Sequence, residues 1–304
     1  MSLVVVGSVA FDSIVTPTAR RADVLGGSAV HFSMSSSFHT ETHLVGVVGE
    51  DFPADRRQVL QDRGIRTDGL ETVAGGKTFR WEGKYHDDMN QRETLMVELN
   101  VFERFQPVLS PSHRRAKFLF LANAAPLTQA RVLDQVEPGA FVMADTMNLW
   151  VQTAHSDLEA LIPRIDGLVL NDEEASLLSE DDRVIPAGRM IREKYGLRYL
   201  VIKKGEHGSM IFHDDGEVAL PAFPIASVTD PTGAGDSFAG GLMGYLASAG
   251  RTDLQHFKRG VAWGTIMASF CCEDFGVHRM TRLEPAEMHA RFAAFQSMLS
   301  LTHG

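Results

Sequence analysis

Short runs of apolar, β-branched residues alternate along the chain with longer segments of helical character. Leu3–Val9 and Thr42–Val48 are apolar runs of strand length, and Gly27–Phe38 between them is typical of a helix. Beyond them the pattern predicts further buried strands at Phe118–Leu121, Phe141–Ala144, Gly167–Leu170 and Tyr199–Ile202. Strands that alternate with helices favour an α/β fold with a central, mostly parallel sheet.

One segment interrupts this alternation. Thr78–His86 and Arg92–Leu99 alternate between apolar and polar residues, and they flank a turn-like D-D-M-N sequence at positions 87–90. The pattern predicts a β-hairpin with one polar face. In an α/β protein such an insertion is a candidate lid or interface element, and a surface ribbon without a function is the alternative.

Composition narrows the class of protein. The chain has 304 residues, 44% of them hydrophobic, and 29 basic against 39 acidic residues leave a net charge of −10. So acidic a chain is unsuited to general binding of nucleic acid or of an anionic membrane, and no apolar run reaches the length of a membrane span. Its two cysteines, Cys271 and Cys272, are adjacent, so the sequence predicts no disulfide and a cytoplasmic location.

The strongest chemical signal is the string T-D-P-T-G-A-G-D-S-F-A-G-G at positions 229–241. Small residues form a tight turn there, and an apolar helix follows at once. The unpaired amides of Gly233, Ala234 and Gly235, together with the helix dipole, predict an anion site. Asp236 lies beside that site, where a carboxylate can take a proton from an attacking hydroxyl. The alternative is an Asp that only stabilises its own helix.

The same string resembles the C-terminal signature of the ribokinase-like (PfkB) carbohydrate and nucleoside kinases. The resemblance implies a single domain over residues 1–304, built as a three-layer α/β/α sandwich. A small β-lid would be formed by about residues 12–25 and 78–100. The implied reaction transfers the γ-phosphoryl group of ATP to a hydroxyl of a sugar, with Asp236 as general base. A nucleoside kinase of the same fold and a non-catalytic sugar or nucleotide sensor are the alternatives.

Further motifs of this family occur in the expected order. Asp12, after the first strand, is implied to bind substrate hydroxyls, and Gly26-Gly27 resembles a di-glycine hinge for the lid. The K-K-G-E-H-G string at positions 203–208 is similar to the turn that precedes the nucleotide pocket. Its members Lys203, Gly205 and Gly208 are therefore assigned to ATP.

Two metal sites are implied as well. Asn171 and Glu174 match the family's N-x-x-E motif and would hold Mg²⁺, mainly through water, with a plain helix cap as the alternative. A monovalent cation such as K⁺ would bind near Asp230 and Thr232. A homodimer through the β-lid is a further expectation, because exposed hairpin edges can pair.

The sequence departs from the family where the acceptor is recognised. His31 stands where the family usually has an Asn, and D-T-M-N-L-W at positions 145–150 lacks the Arg of the D-x-N-x-R pattern. Arg80, Lys84 and Arg92 are the basic lid residues that a phosphosugar would require. Aromatic residues of the lid region could instead stack on a sugar or a nucleobase, or they could fill the seam beneath the lid.

Two other motifs are not assigned a function. The G-G-K-T sequence at positions 75–78 ends like a phosphate-binding loop, but its first glycine is replaced by Glu71 and a strand-like run follows. His39 and His43 are four residues apart without the H-E-x-x-H order, and the helix ends between them. No zinc site is predicted for this segment.

Overall fold

The computed structural model describes residues 3–90 and 92–300, and nine of its strands form one large sheet in the order β13-β12-β11-β10-β9-β8-β1-β4-β5. The strands from β11 to β5 in this order are all parallel, while β12 and β13 are antiparallel additions at one edge. The strands of this sheet are β1 Leu3–Val6, β4 Thr42–Gly49, β5 Arg66–Val73, β8 Phe118–Leu121, β9 Phe141–Asp145, β10 Gly167–Asn171, β11 Tyr199–Lys203, β12 Ser209–His213 and β13 Gly216–Leu220.

Four further strands form a smaller sheet in the order β3-β2-β6-β7. They are β2 Ala10–Val15, β3 Arg20–Gly26, β6 Phe79–Tyr85 and β7 Arg92–Glu98. Ile14, Val24 and Tyr85 bury one face of this sheet together with Phe275. Leu95 and Val97 on the edge strand β7 are exposed.

Helices cover both faces of the large sheet. The described residues contain α1 Ser28–Ser36, α2 Ala54–Asp62, α3 Pro111–Arg114, α4 Pro126–Leu133, α5 Asn148–Thr153, α6 His155–Leu161, α7 Asp172–Ser179, α8 Val184–Tyr195, α9 Ala234–Ala249, α10 Leu254–Cys271, α11 His278–Arg282 and α12 Pro285–Leu299. None of the helices in this part of the chain has the length and apolar character needed to cross a bilayer.

The core lies in two layers, one on each face of the large sheet. Val5 and Leu44 contribute to one hydrophobic cluster and Val4 and Val45 to the other, because neighbouring residues of a strand point to opposite faces. Strands buried on both faces are therefore almost continuously apolar. This is why the central strands were predictable from short apolar runs.

The structure corrects one predicted strand boundary and adds one strand that was not predicted. The first apolar run, Leu3–Val9, does not form one strand: β1 ends at Val6 and the chain turns before β2 begins at Ala10. Gly7 allows this turn, since a β-carbon there would lie 2.7 Å from the Ala122 Cβ. The edge strand β5 was not predicted, because its R-T-D-G-L-E-T-V sequence alternates with charged residues that face solvent.

Candidate active site

Polar residues end three neighbouring parallel strands of the large sheet. Asp145, Asn171 and Lys203 are the last residues of β9, β10 and β11, and Asn171 and Lys203 are directly paired. The carboxyl ends of parallel strands in an open α/β sheet are where such folds bind ligands. Lys203 Nζ lies 2.7 Å from the position that a β-carbon on Gly235 would take. The ammonium group therefore lies at the start of α9.

The turn before α9 leaves backbone amides for a ligand. Gly233 has φ +76°, and a β-carbon there would overlap the His31 ring, so only glycine fits. The Ala234 amide donates to the Pro231 carbonyl at 3.1 Å, which closes the turn. Within the described ranges, no backbone acceptor takes the amide hydrogens of Gly233 or Gly235. Of the three amides predicted to bind an anion, two are therefore free and that of Ala234 is already used.

Asp236 lies in the first turn of α9, beside these amides. Burial raises the pKa of its carboxyl group, while the charges of Lys203 and Arg92 act in the opposite direction. Asp145 faces the same space: burial and the nearby Asp236 charge raise the pKa of Asp145 well above its usual range. A buried carboxylate with a raised pKa is suited to accept a proton near neutral pH.

Asp12 lies on β2 and is buried against the di-glycine pair. A β-carbon on Gly26 would overlap the Asp12 carboxylate, and Gly27, at φ +95°, turns the chain into α1. Burial raises the pKa of Asp12 to about 7, against a hydrogen bond from the Gly27 backbone that favours the charged form. Repulsion from Asp230 and Asp236 adds to the increase. The structure thus brings Asp12, Gly26 and Gly27 close to the turn of residues 230–235 before α9, which is called the anion loop below.

His31 lies on α1, and its buried side chain packs against Gly233 of the anion loop. Its Nδ1 lies 3.8 Å from the Cys271 sulfur, and its Nε2 has no hydrogen-bond partner in the part of the chain that the structure describes. Burial lowers the pKa of His31 to about 4, so the imidazole is neutral at pH 7. A neutral ring with an unpaired nitrogen can exchange a hydrogen bond with an uncharged polar ligand.

Asn171 and Glu174 cap α7 reciprocally. The Asn171 Oδ1 accepts from the Glu174 amide at 2.7 Å, and the Glu174 carboxylate accepts from the Asn171 amide at 2.8 Å. This is the capping box that was the alternative to a metal site. Glu174 is nevertheless buried, and burial raises its pKa against the charge of Lys203. Its capping hydrogen bond occupies only one carboxylate oxygen, so the pair still fits a hydrated divalent cation.

Asp230 joins the signature string to the C-terminal loop. Its carboxylate oxygens accept from the Thr232 amide at 2.9 Å and the Gly276 amide at 3.0 Å. Thr232 donates its hydroxyl to Tyr85 Oη at 3.1 Å, which links the anion loop to the smaller sheet. The backbones of residues 230–232 and 272–276 are thus held side by side.

The turn after β11 is closed by its own backbone. The Lys204 amide donates to the Gly208 carbonyl at 2.7 Å, and both Gly205 and Gly208 have positive φ. A β-carbon on Gly208 would overlap the Leu220 carbonyl. These glycines are therefore required by the fold, and their contact with ATP stays a prediction.

Two contributors to the site were not singled out from sequence. The Asp145 carboxylate was noted only as the start of an imperfect motif, and Tyr85 was noted only as part of the lid strand. A further group, Arg92 on β7, was one of three basic lid candidates, and its charge acts on Asp12, Asp236 and Glu174. Local sequence motifs gave no signal for these contacts, because the contacts join residues that are distant along the chain.

Comparison with known proteins agrees with this geometry. The model of the pfkB family carbohydrate kinases matches residues 3–270. The cytidine kinase of Thermococcus kodakarensis is 29% identical over 253 residues, which are 81% of this chain and 88% of that protein. The similarity thus includes the smaller sheet and the anion loop.

Solved structures share the fold. Burkholderia thailandensis nucleoside kinase in complex with inosine has a TM-score of 0.79 at 18% identity, covering 97% of this chain and 99% of that one. Vibrio cholerae fructokinase with fructose, ADP and calcium bound has a TM-score of 0.78 at 18% identity, covering 96% and 98%. The predicted ribokinase-like sandwich is confirmed, and the protein is a phosphotransferase with an alcohol group as acceptor. The chain belongs to the pfkB family of carbohydrate kinases.

Proposed function

We propose that this chain transfers the γ-phosphoryl group of ATP to a hydroxyl of a nucleoside, with Asp236 as the general base. The observation that carries the proposal is the Asp236 carboxylate, with its raised pKa, beside the free amides of α9. The substrate hydroxyl gives its proton to Asp236 as its oxygen attacks the γ-phosphorus. The bond from phosphorus to the bridging oxygen breaks, and ADP leaves. The 29% identity to a cytidine kinase supports a nucleoside acceptor.

The residues around Asp12 support an uncharged acceptor. Asp12, Gly26, Gly27 and His31 would contact it, with the Asp12 carboxylate taking hydrogen bonds from hydroxyl groups. Of the lid cations, Arg80 is paired with Asp23 and lies 3.5 Å from the Asp51 carboxylate, whereas the charge of Arg92 acts on Asp12 and Asp236. A phosphosugar would thus meet several carboxylates, with Arg92 as the lid cation whose charge reaches them. A nucleoside or a free sugar meets no such penalty.

The nucleotide would lie across the carboxyl ends of the strands. Lys203 and the amides of Gly233 and Gly235 would hold and neutralise its phosphates, and the turn of Gly205 and Gly208 would border the base. The Ala234 amide would keep the loop in shape through its bond to Pro231. This corrects the equal role that the spacing predicted for three successive amides.

Metal ions would act at two places. Mg²⁺ would be held by Asn171 and Glu174, mainly through water, and when bound it would neutralise phosphate charge. Asp230 and Thr232 would border a monovalent cation such as K⁺. Glu174 fits the first role because it is buried and one of its oxygens is free of the capping box.

The smaller sheet would act as a lid that excludes water during transfer. Its bond from Thr232 to Tyr85 lies next to the anion loop, so lid position and phosphate site are linked. The exposed Leu95 and Val97 on the edge strand β7 support a homodimer through this sheet.

A free sugar is the second candidate acceptor. Phe79 and Phe102, which could have stacked on a nucleobase, instead stack on each other with centroids 5.6 Å apart. Those rings therefore fill the seam between the smaller sheet and the body.

The test is ADP release from MgATP with cytidine, inosine, ribose, fructose and fructose 6-phosphate, each with and without K⁺. We expect turnover with a nucleoside, none with the phosphosugar, and loss of turnover in Asp236→Asn. Turnover with a free sugar alone would replace the nucleoside assignment with the second candidate. Ligand-dependent thermal stabilisation without ADP release from any compound would contradict a kinase and support a sensor.

A further inference from the structure

Three potential metal ligands converge at the end of the large sheet where its parallel strands begin, opposite the active site. His43 is near the start of β4, Asp68 is near the start of β5, and His113 is in α3. One ligand atom from each lies within 4.8 Å of the other two. Because β4 and β5 run parallel to β9, β10 and β11, these residues lie at the amino end of the sheet. They belong neither to the phosphate site nor to the lid.

Two imidazole nitrogens of this cluster lack a hydrogen-bond partner. The His113 side chain is 3% exposed and that of His43 is 17% exposed. His113 Nε2 and His43 Nδ1 are both buried and unpartnered in the described part of the chain. The Asp68 oxygens lie 3.5 Å from the first and 3.9 Å from the second, which is too far for a good hydrogen bond. Buried polar atoms are rarely left unpaired, so these call for a ligand.

A second carboxylate orients His43. Glu41 lies 3.2 Å from His43 Nε2, and Arg66 donates to Glu41 at 2.9 Å. A carboxylate at Nε2 places the proton there and leaves the Nδ1 lone pair directed toward Asp68. Proteins orient metal-bound histidines with the same carboxylate contact.

An irregularity in β5 brings the third ligand into place. His43 pairs with Arg66, but Val45 pairs with Gly69, so β5 has one more residue than β4 over this stretch. A bulge of this kind redirects a side chain, here that of Asp68. Gly69 also gives room to the ring of His113, since a β-carbon there would lie 3.1 Å from His113 Cε1.

We propose that His43 Nδ1, His113 Nε2 and the Asp68 carboxylate bind one divalent transition-metal ion, with Zn²⁺ as the best match. Tetrahedral zinc with bonds of about 2.0–2.1 Å holds its ligand atoms about 3.3 Å apart, so the most widely separated pair of ligand atoms needs to close by up to about 1.5 Å. Two imidazoles and one carboxylate suit zinc better than Mg²⁺, which prefers oxygen ligands. Water completes the coordination on the side where Asp68 is 61% exposed. The ion ties the edge strand β5 to β4 and α3, so its role is structural.

The test uses the full chain, without an affinity tag and stripped of metal with a chelator. Titration calorimetry with ZnCl₂ should show one saturable Zn²⁺ per chain, without nucleotide present. Excess Zn²⁺ should raise the melting temperature by at least about 4 °C, and the same concentration of MgCl₂ should not. Co²⁺ should give the visible spectrum of a tetrahedral site. Absence of a saturable Zn²⁺ site in the wild-type chain would overturn the proposal.

Variants locate the site. Asp68→Asn and His43→Gln should lose the Zn²⁺-dependent rise in melting temperature while keeping the metal-free melting temperature and the MgATP turnover. Asp68 is exposed, so its variant should fold. His155→Gln, on exposed α6, and Glu174→Gln, in the active site, are controls that should keep the rise. The proposal is wrong if both cluster variants bind Zn²⁺ as the wild type does, or if Glu174→Gln alone abolishes binding.

Discussion

The two edges of the large sheet carry polar groups of opposite character. At the carboxyl edge, burial raises the pKa values of Asp12, Asp145 and Asp236, and repulsion from the Asp236 charge adds to the increase for Asp12 and Asp145. At the amino edge, His43 and His113 lack hydrogen-bond partners and face an exposed carboxylate. The first arrangement places carboxyl groups with raised pKa values beside free backbone amides. The second offers lone pairs to a cation.

Under the two proposals, opposite ends of one sheet serve the reaction and structural support. The ends of the parallel strands and the first turn of α9 meet at the carboxyl edge. Buried carboxylates therefore lie close together there, which lowers the stability of the fold. At the amino ends of the strands, the proposed metal ion would link the exposed edge strand β5 to its neighbours. Such a link would stabilise the fold without affecting the reaction. Substitutions at the carboxyl edge should therefore change turnover, and those at the amino edge should change only stability.

The largest expected effect is that of Asp236→Asn on turnover. Loss of the general base should lower kcat by ~10² or more while ATP still binds. Asp55→Asn is the matched control, because Asp55 also lies in the first turn of a helix, α2, but is exposed and distant from the site. Steady-state ADP release and nucleotide titration measure the two effects. Near-normal kcat in Asp236→Asn would reduce this carboxylate to a helix cap.

The next effect is a gain in stability from Asp12→Asn. Burial raises the pKa of Asp12 from 3.8 to about 7, so the folded protein binds more protons than the unfolded chain between those pH values. This group's contribution to stability is full below pH 3.8 and is lost as the pH rises toward 7. At pH 8 the neutral Asn should raise the free energy of unfolding by about 2 kcal/mol, and acceptor binding should weaken.

Denaturant unfolding at pH 8 and pH 4 checks this prediction. The gain should shrink toward zero at pH 4, where Asp12 is protonated in the folded protein and close to its titration midpoint in the unfolded chain. A loss of stability at pH 8 would mean that the charged Asp12 is satisfied in the folded protein. The buried charge at the carboxyl edge would then carry no cost in stability, and this contrast with the amino edge would be lost.

The pH dependence of kcat/KM should show the raised pKa of Asp236. A base must be deprotonated to act, so activity should fall as the pH drops through a pKa above the ordinary Asp value. Below it, the loss should approach about tenfold per pH unit. A profile that stays flat down to pH 5, with stable protein, would contradict the raised pKa.

The smallest effect expected at the carboxyl edge is a change in metal requirement. Glu174→Gln should raise the Mg²⁺ concentration for half-maximal turnover several-fold, because the side chain loses its charge but can keep the capping bond. Glu173→Gln, the exposed neighbour on α7, is the control. Equal Mg²⁺ titrations for both variants would leave Glu174 as a helix cap only.

Local sequence accounted for much of the fold and of the anion loop. The central strands were predictable because both of their faces are buried, so their residues form continuous apolar runs. The anion loop was predictable because Gly233 must adopt positive φ and Asp236 follows within the same turn. In contrast, β5 was missed because an edge strand with polar alternation resembles a loop.

Distant contacts were beyond the sequence. His43 was considered only with His39, whereas its partners Asp68 and His113 come from another strand and a short helix. Likewise the pairing of Arg80 with Asp23 and the stacking of Phe79 on Phe102 could not be read from the sequence. Each of these contacts depends on strand register and on side-chain direction.

By itself the sequence determined the α/β class, and it pointed to the turn before α9 and to Asp236 as the candidate phosphate site and base, because these features depend on residues within one or two turns of the chain. Only the tertiary structure decided which amides are free, which arginine is neutralised and which histidines meet. Those properties arise when strands pair and burial removes water, since both hydrogen-bond supply and pKa depend on what surrounds a group in space.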